Sequence, residues 1–381
     1  MILIAGALAL PAGAAASLRG ALRQALHGFD GRGTAALAVD LSTGRVVYAH
    51  NANAPLLPAS NEKLTLTFAS LLALGPSFRM RTDVLGEGHL ADGQTWVGNL
   101  ILKGGGDPTL DAAGLAALAH DLRAEGIRRV TGSLVADESY FDARRGGPGW
   151  KASFIWEESK PLSALGPAGA LPAAKLFRAA LARAGIRVRG GTKRARAGGW
   201  PLAVHFSPPL ADILHVMDVE SDNYLAEMVL KNLGAVVARR GTTAAGAAVV
   251  RATLAEHDVP LAGVRLLDGS GLSSLDRLTP KALVTILQRA WADPDLRPAL
   301  FAILPVSGRD GTLEDRMTRP PARGNIRAKT GTLDNVSALS GYVRERYAFS
   351  ILVNAPRLSI PAAHAAQDRF ATVLASATSP A

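Results

Sequence analysis

Cysteine is absent from the 381 residues of this sequence, so a disulfide framework and a thiolate metal site are excluded. The eight histidines are dispersed and form neither an H-x-H nor an H-E-x-x-H pattern. We therefore expect no zinc site and no other cofactor. Aromatic residues make up 5% of the chain and do not alternate with the arginines. This argues against the base-stacking surfaces of nucleic-acid-binding proteins.

The formal net charge is +10, and no basic run is longer than a pair. A surface with this charge suits an anionic partner such as a cell-wall polymer or a membrane face. Beyond the first residues, no apolar stretch is long enough to span a bilayer, so we expect no membrane span in the mature chain. The sequence does not indicate an oligomeric state.

Residues 1–16 resemble a secretory signal, with an apolar stretch at 2–10 and small residues at 12–16 that suit a signal peptidase. The basic segment that opens such signals is missing, which fits a natural start upstream of Met1. We predict export, a mature chain from Ser17, and a periplasmic location, either free or associated with the cell wall. The alternative is an alanine-rich first helix of the folded domain.

The order of the predicted elements indicates an α+β fold of two domains. Strands are predicted near both ends of the chain, at 35–49 and 338–354, with helices between and after them. This pattern predicts one antiparallel sheet flanked by helices, formed by residues 17–81 and 200–381. Residues 82–199 alternate between strand and helix patterns, and we predict that they form a smaller inserted α/β domain.

A serine and a lysine stand three residues apart at the head of an apolar run, as Ser60 and Lys63. In a helix these positions share one face, which places the lysine amine one turn from the serine hydroxyl. A serine hydroxyl is a weak nucleophile unless a base accepts its proton, and a desolvated lysine can be that base. Alone, this spacing is equally typical of a helix cap beside a solvated lysine.

Two later motifs favour the catalytic interpretation. Ser221-Asp222-Asn223 forms an S-D-N triplet, and Lys329-Thr330-Gly331-Thr332 forms a K-T-G-T segment on a predicted strand. The order S-x-x-K, S-D-N, K-T-G is found in penicillin-binding proteins and class A β-lactamases. We predict that Ser60, Lys63, Ser221, Asn223 and Lys329 are catalytic. Thr330, Gly331 and Thr332 are predicted to bind the substrate.

Beyond these motifs, the chain resembles the penicillin-binding serine D,D-peptidases of family S13, also called low-molecular-mass class C penicillin-binding proteins. The resemblance covers nearly the whole mature chain and includes landmarks at residues 102–110, 140–142, 147–150, 207–210, 268–273 and 304–306. It implies a β-lactamase/transpeptidase-like fold with an insertion between the first two motifs. It also implies a D-alanyl-D-alanine carboxypeptidase or endopeptidase that acts on peptidoglycan stem peptides and is inhibited by β-lactams.

The sequence departs from this family in one respect. Ser60 and Ser221 are closer together than in most members, which carry a second, outer inserted domain between them. We predict that this outer domain is missing, which affects wall attachment or substrate selection but not the chemistry.

The resemblance also implies roles for the predicted residues. Ser60 attacks the carbonyl between two D-alanines, Lys63 takes its proton, and the N–H groups of Ser60 and Thr332 hold the oxyanion. Ser221 relays a proton to the leaving amine, and Asn223 orients Lys63 and the substrate. The strand carrying Lys329 pairs with the substrate and meets its terminal carboxylate.

Two other functions remain open from the sequence. A β-lactamase would share the three motifs but would need a second base, for which Glu157 and Glu158 are the nearest candidates. A non-catalytic wall-binding or penicillin-sensing module would keep the fold without turnover.

Overall fold

The computed structural model describes residues 12–29, 31–167 and 169–377. The predicted export signal, residues 1–16, lies outside this description up to residue 11, and its last residues begin the first helix. The chain divides into two compact units. The first comprises Met1–Leu72, Leu214–Asp222 and Val250–Ala381, and the second comprises Ala73–Ile213 and Asn223–Val249. No helix in the described ranges is long and apolar enough to cross a membrane.

The helices, in chain order, are α1 (Ala12–Ala25), α2 (Lys63–Leu74), α3 (Ala112–Ala124), α4 (Phe154–Glu157), α5 (Ala170–Arg183), α6 (Leu210–Val219), α7 (Asn223–Val237), α8 (Thr243–Glu256), α9 (Pro280–Ala292), α10 (Leu296–Ala302) and α11 (Ile360–Ser376). The strands are β1 (Thr34–Asp40), β2 (Val46–His50), β3 (Arg81–Ala91), β4 (Thr95–Gly104), β5 (Arg129–Val130), β6 (Leu134–Asp137), β7 (Arg187–Val188), β8 (Thr192–Arg194), β9 (Trp200–Phe206), β10 (Ile326–Leu333), β11 (Val336–Val343) and β12 (Tyr347–Asn354). Two 3-10 helices span Ala59–Glu62 and Gly311–Leu313.

The first unit is built on an antiparallel sheet with the strand order β10-β11-β12-β1-β2. Strand β1, from the start of the chain, pairs along its full length with β12, from near the end. The predicted α+β architecture, with one sheet assembled from both ends of the chain, is confirmed. Strand β10, which carries the K-T-G-T segment, lies at the edge of this sheet.

Helices cover both faces of this sheet, because the central strands are apolar on both sides. On one face, Leu339 of β11 packs in a cluster that includes Phe370 of α11. On the other face, the Tyr342 hydroxyl donates to the Leu287 carbonyl of α9 at 2.7 Å. The covered sheet gives β10 a rigid support.

The second unit contains a mixed sheet in which β3 and β4 form a hairpin and β4 pairs in parallel with β5 and β6. Helices α3 and α5 connect the parallel strands, and their apolar sides pack on one face of the sheet. The predicted inserted domain, residues 82–199, stops one residue before β9. Because β9 pairs with β3, the sheet of this unit extends beyond the predicted boundary.

Candidate active site

Ser60 lies in the 3-10 helix that leads directly into α2, and Lys63 is the first residue of α2. The lysine Nζ lies 3.0 Å from Ser60 Oγ, which is a hydrogen-bonding distance and agrees with the spacing argument. The preceding residue, Ala59, has φ +45°, a region that costs energy for any residue with a Cβ. The backbone is therefore strained next to the proposed nucleophile.

Lys63 is fully buried, and its Nζ also donates to the carbonyl oxygen of Ser270 at 3.0 Å. Ser270 lies in a turn whose next residue, Gly271, has φ +82°. A Cβ at position 271 would meet the carbonyl oxygen of Ala59 at 1.9 Å, so only glycine allows this turn to pack against the serine segment. The turn thereby holds both the strained backbone and the lysine.

The edge strand β10 packs against the same segment. The side chain of Asn61 donates from Nδ2 to the Lys329 carbonyl oxygen at 3.0 Å. A Cβ at Gly331 would lie 2.9 Å from Pro58 O and 3.0 Å from Ser60 N, so the two backbones approach too closely for a side chain. This contact brings Ser60, Lys63 and the K-T-G-T strand together in the first unit.

The other residues of this strand differ in their surroundings. Lys329 is fully buried, and its Nζ donates to the Thr330 carbonyl oxygen at 3.2 Å. The Thr330 hydroxyl donates to Thr312 Oγ1 at 2.8 Å. Thr332 is exposed, with its hydroxyl 3.4 Å from a ring nitrogen of His364.

Two buried groups of opposite sign perturb each other here. Burial, as the largest cause, and repulsion from Lys63 lower the pKa of Lys329 to about 7, although attraction to Asp218 opposes them. Burial raises the pKa of Asp218 to about 6, although Lys329, Thr67, Lys63 and His215 each lower it. Perturbed groups of this kind cluster at functional sites.

The S-D-N triplet straddles the division between the units. Ser221 follows α6 in the first unit, is half-buried and has φ +61°, a second strained position at a predicted catalytic residue. Asn223 is the first residue of α7 in the second unit, where its Nδ2 donates to the Glu158 carbonyl oxygen at 2.8 Å. The catalytic assignments of Ser221 and Asn223 therefore stay predictions.

A second group of acids lies close to the serine segment. Asp268 accepts from the backbone N–H groups of Gly271 and Ser273 at 2.8 Å each, which shapes the turn that holds Lys63. Burial, together with the charges of Asp268 and Glu62, raises the pKa of Asp276 well above its usual value. In the described part of the chain, no three acidic or histidine side chains are arranged to hold a metal ion. The hydrogen bonds that Asp268 accepts give it a structural role in this turn.

Comparison with known proteins identifies the family. The profile of the D-Ala-D-Ala carboxypeptidase 3 (S13) family matches residues 18–158 and 155–377. This chain belongs to that family. The predicted family is thereby confirmed, and the protein is a serine-type D-alanyl-D-alanine carboxypeptidase that acts in cell wall metabolism.

Individual relatives agree with this assignment. The chain is 32% identical to the D-alanyl-D-alanine carboxypeptidase of Actinomadura sp. (strain R39), over 91% of this chain and 82% of that protein. It is 30% identical to carboxypeptidase DacB of Mycolicibacterium smegmatis, over 88% and 79% of the two chains. The crystal structure of penicillin binding protein 4 (dacB) from Haemophilus influenzae has the same fold. Its TM-score is 0.82, with 23% identity over 93% of this chain and 98% of that one.

Three features of the site were not predicted from the sequence. They are the Ser270 carbonyl that accepts from Lys63, the strained backbone at Ala59, and the buried Asp218. Residues 268–273 are among the family landmarks in the sequence, but no contact with the lysine was predicted for them. Only Asp218 leaves a trace in the sequence, as an acid between Met217 and Val219 on the apolar side of α6.

Proposed function

We propose that Ser60 attacks the carbonyl carbon between the last two D-alanines of a peptidoglycan stem peptide, with Lys63 as the base. The 3.0 Å distance between Lys63 Nζ and Ser60 Oγ carries this proposal. To accept a proton, the lysine must be uncharged. Burial of Lys63 and its repulsion with Lys329 both favour the uncharged amine.

The acyl-enzyme forms when the Ser60 Oγ–carbonyl bond is made and the bond to the terminal D-alanine nitrogen breaks. We propose that the backbone N–H groups of Ser60 and Thr332 stabilise the oxyanion, a contribution of roughly a hundredfold or more per donor. The close approach of Gly331 to Ser60 N supports this pairing, because it places the two backbone segments side by side. Water then hydrolyses the ester and frees the serine.

Lys329 and Thr330 are proposed to receive the terminal carboxylate of the substrate. A cation in a water-poor site binds a carboxylate strongly, and the strand edge offers backbone groups to the peptide. Ser221 is proposed to relay a proton towards the leaving amine. The Asn223 amide is proposed to orient Lys63 and the substrate backbone.

Both carboxypeptidase and endopeptidase reactions use the same bond type, so we propose that the site can also open cross-links. The amide of a β-lactam resembles the scissile bond, so β-lactams are proposed to acylate Ser60.

A β-lactamase would instead turn β-lactams over quickly. The candidate second bases are Glu157, the last residue of α4, and Glu158, which follows it, and both are exposed to water. Stoichiometric acylation by nitrocefin, without steady turnover, is expected.

We further propose an exported, periplasmic protein that lacks the outer inserted domain. The alignment with the Actinomadura enzyme is 452 positions long but uses 91% of this chain, so roughly a hundred positions have no residue from it. This length fits one small domain. The two segments matched by the family profile meet at residues 155–158, which supports an omission near this point.

The nucleophile is tested with the Ser60→Ala variant. Loss of the hydroxyl should abolish both D-alanine release from a pentapeptide and labelling by a fluorescent penicillin. Ser376→Ala, which removes an exposed hydroxyl near the end of α11, is the matched control and should keep both activities. Labelling of the Ser60→Ala protein would exclude Ser60 as the nucleophile. Labelling of the wild type without D-alanine release would favour a penicillin-sensing module.

A further inference from the structure

Asp218 is a fully buried acid that the proposed reaction does not use. Its Oδ2 accepts a hydrogen bond from the Thr67 hydroxyl at 2.7 Å. Its Oδ1 has no hydrogen-bond partner in the described portion of the molecule. A buried carboxylate is costly unless charges of opposite sign lie near it, so its surroundings should show what it balances.

Its position follows from the helix that holds it. Thr67 and Lys63 are four residues apart in α2 and thus neighbours on one helix face, with Cβ atoms about 6 Å apart. The carboxylate bonded to Thr67 therefore lies one turn along from Lys63. Asn61, which lies just before α2, donates a hydrogen bond to the Lys329 carbonyl oxygen of β10. This bond places Lys329 close to the start of α2, where Lys63 lies.

Three charged or titratable groups of the described residues act on Asp218. Lys63 faces it from α2 and Lys329 from β10, and both are fully buried. His215 interacts with it from its own helix and is exposed. One buried carboxylate thus faces two buried amines, and only these amines belong to the proposed reaction.

We propose that Asp218 is a positioning residue that acts through Lys63 and Lys329, supplying a buried negative charge that helps to set how many protons the two amines share. The proposal rests on the roles proposed above for these lysines. With Asp218 ionised, one ammonium is balanced, so Lys329 can stay charged for the substrate carboxylate while Lys63 is free to accept a proton. The attraction of Asp218, which opposes the lowering of the Lys329 pKa, is consistent with this arrangement.

The test is the pH dependence of acylation by a fluorescent penicillin and of kcat/KM for D-alanine release. In Asp218→Asn, the amide keeps the shape and can still accept from Thr67, but the charge is gone. Both limbs of the pH profile should move to lower pH by about one unit or more, because each amine loses a nearby opposite charge. At pH 8 this shift should lower kcat/KM by about tenfold, and near pH 6 by much less.

Two further variants separate charge from structure. Thr67→Val removes the hydroxyl that orients the carboxylate but keeps the charge, so its shift should be smaller than that of Asp218→Asn. Asp212→Asn, which neutralises an exposed acid on the same helix, should leave the profile unchanged.

The outcomes separate this proposal from the proposed function. If Asp218→Asn is folded by circular dichroism and lowers activity equally at every pH, its role is structural and the proposal is overturned. If Ser60→Ala still labels with penicillin, the nucleophile assignment fails instead, whatever Asp218→Asn does. A profile that moves to higher pH would also overturn the proposal, because it would require Asp218 to disfavour the protonated amines.

Discussion

Lys231 of the second unit and Lys329 of the first are both fully buried, yet their surroundings differ. Lys231 Nζ lies 2.6 Å from Asp142 Oδ1, donates to the Arg144 carbonyl oxygen at 3.0 Å, and stands 5.5 Å from the centre of the Phe141 ring. Lys329 Nζ donates to one carbonyl oxygen, and in the described ranges no carboxylate lies within ion-pair distance of it. Its nearest charged neighbours are another lysine and one shared acid.

The difference shows that burial alone does not make a lysine functional. A buried ammonium with its own carboxylate is neutralised and keeps its proton, which suits a structural position. A buried ammonium that shares one carboxylate with a second ammonium titrates near neutral pH and can exchange a proton or bind a carboxylate. The following variants test this contrast, from the largest expected effect to the smallest.

Catalysis should distinguish the two lysines most strongly. Lys329→Met should lower kcat/KM for D-alanine release by about a hundredfold or more, the scale of losing a charge-assisted contact in a dry site. Lys231→Met should stay within about threefold of the wild type when folded protein is compared, because the partners of Lys231 among the described residues, namely Asp142, Arg144 and Phe141, have no role in the proposed reaction. Steady-state kinetics at pH 7 measures both. Similar losses in the two variants would remove the functional distinction.

The free energy of unfolding should show the opposite pattern, with Lys231→Met losing more stability than Lys329→Met. Lys231→Met leaves the carboxylate of Asp142 without its partner, so we expect a loss of about 3 kcal/mol in the free energy of unfolding. This expected loss is at the low end of the range for breaking a buried ion pair, because the Asp142 side chain keeps 28% exposure to water. Urea unfolding at pH 7 measures the loss. Lys231→Met with Asp142→Asn should recover part of it, and no recovery would contradict the pairing.

Lys329→Met should stabilise the protein slightly, by about 1–2 kcal/mol at pH 6, because one buried ammonium is removed and Lys63 remains to balance Asp218. The size of this gain in stability depends on pH. The pKa of Lys329 falls from 10.5 when unfolded to about 7 when folded, so the unfolded chain binds the proton more tightly. The destabilisation that comes from burying protonated Lys329 is fully present below pH 7, and it is lost as the pH rises towards 10.5.

The gain from Lys329→Met should therefore shrink between pH 7 and pH 10. Urea unfolding of the wild type and the variant at pH 6, 8 and 10 measures this trend. A gain in stability that grows with pH would mean that the pKa of Lys329 is not lowered in the folded protein. Lys281→Met, at an exposed position in α9, is the control and should show no such trend.

Most regular elements followed from local patterns in the sequence. The predicted strands at 35–49 correspond to β1 and β2, and those at 338–354 correspond to β11 and β12. These elements have strong periodicity and clear end signals. In contrast, β9 was not predicted, because its residues are largely exposed and do not alternate between apolar and polar. Only its pairing with β3 makes it a strand.

The relation between Ser60 and Lys63 also needed nothing beyond sequence, since three residues in a helical turn set their distance. The order of the three motifs was enough to predict a serine nucleophile with a lysine base, and the landmarks beyond these motifs were needed to predict the family. The backbone contacts at Gly271 and Gly331 were not predictable, because each depends on a chain segment more than 200 residues away in sequence.

By itself, the sequence predicted the nucleophile and its base, and it determined the family and the strands of the main sheet, because each rests on neighbours in the chain or on a motif with a fixed order. Only the tertiary structure decided which charges share a buried space. Whether a lysine meets its own carboxylate, as Lys231 does, or shares one, as Lys329 does, depends on distances between remote segments. The electrostatic energies that separate a structural lysine from a reactive one depend on those distances and on exclusion of water.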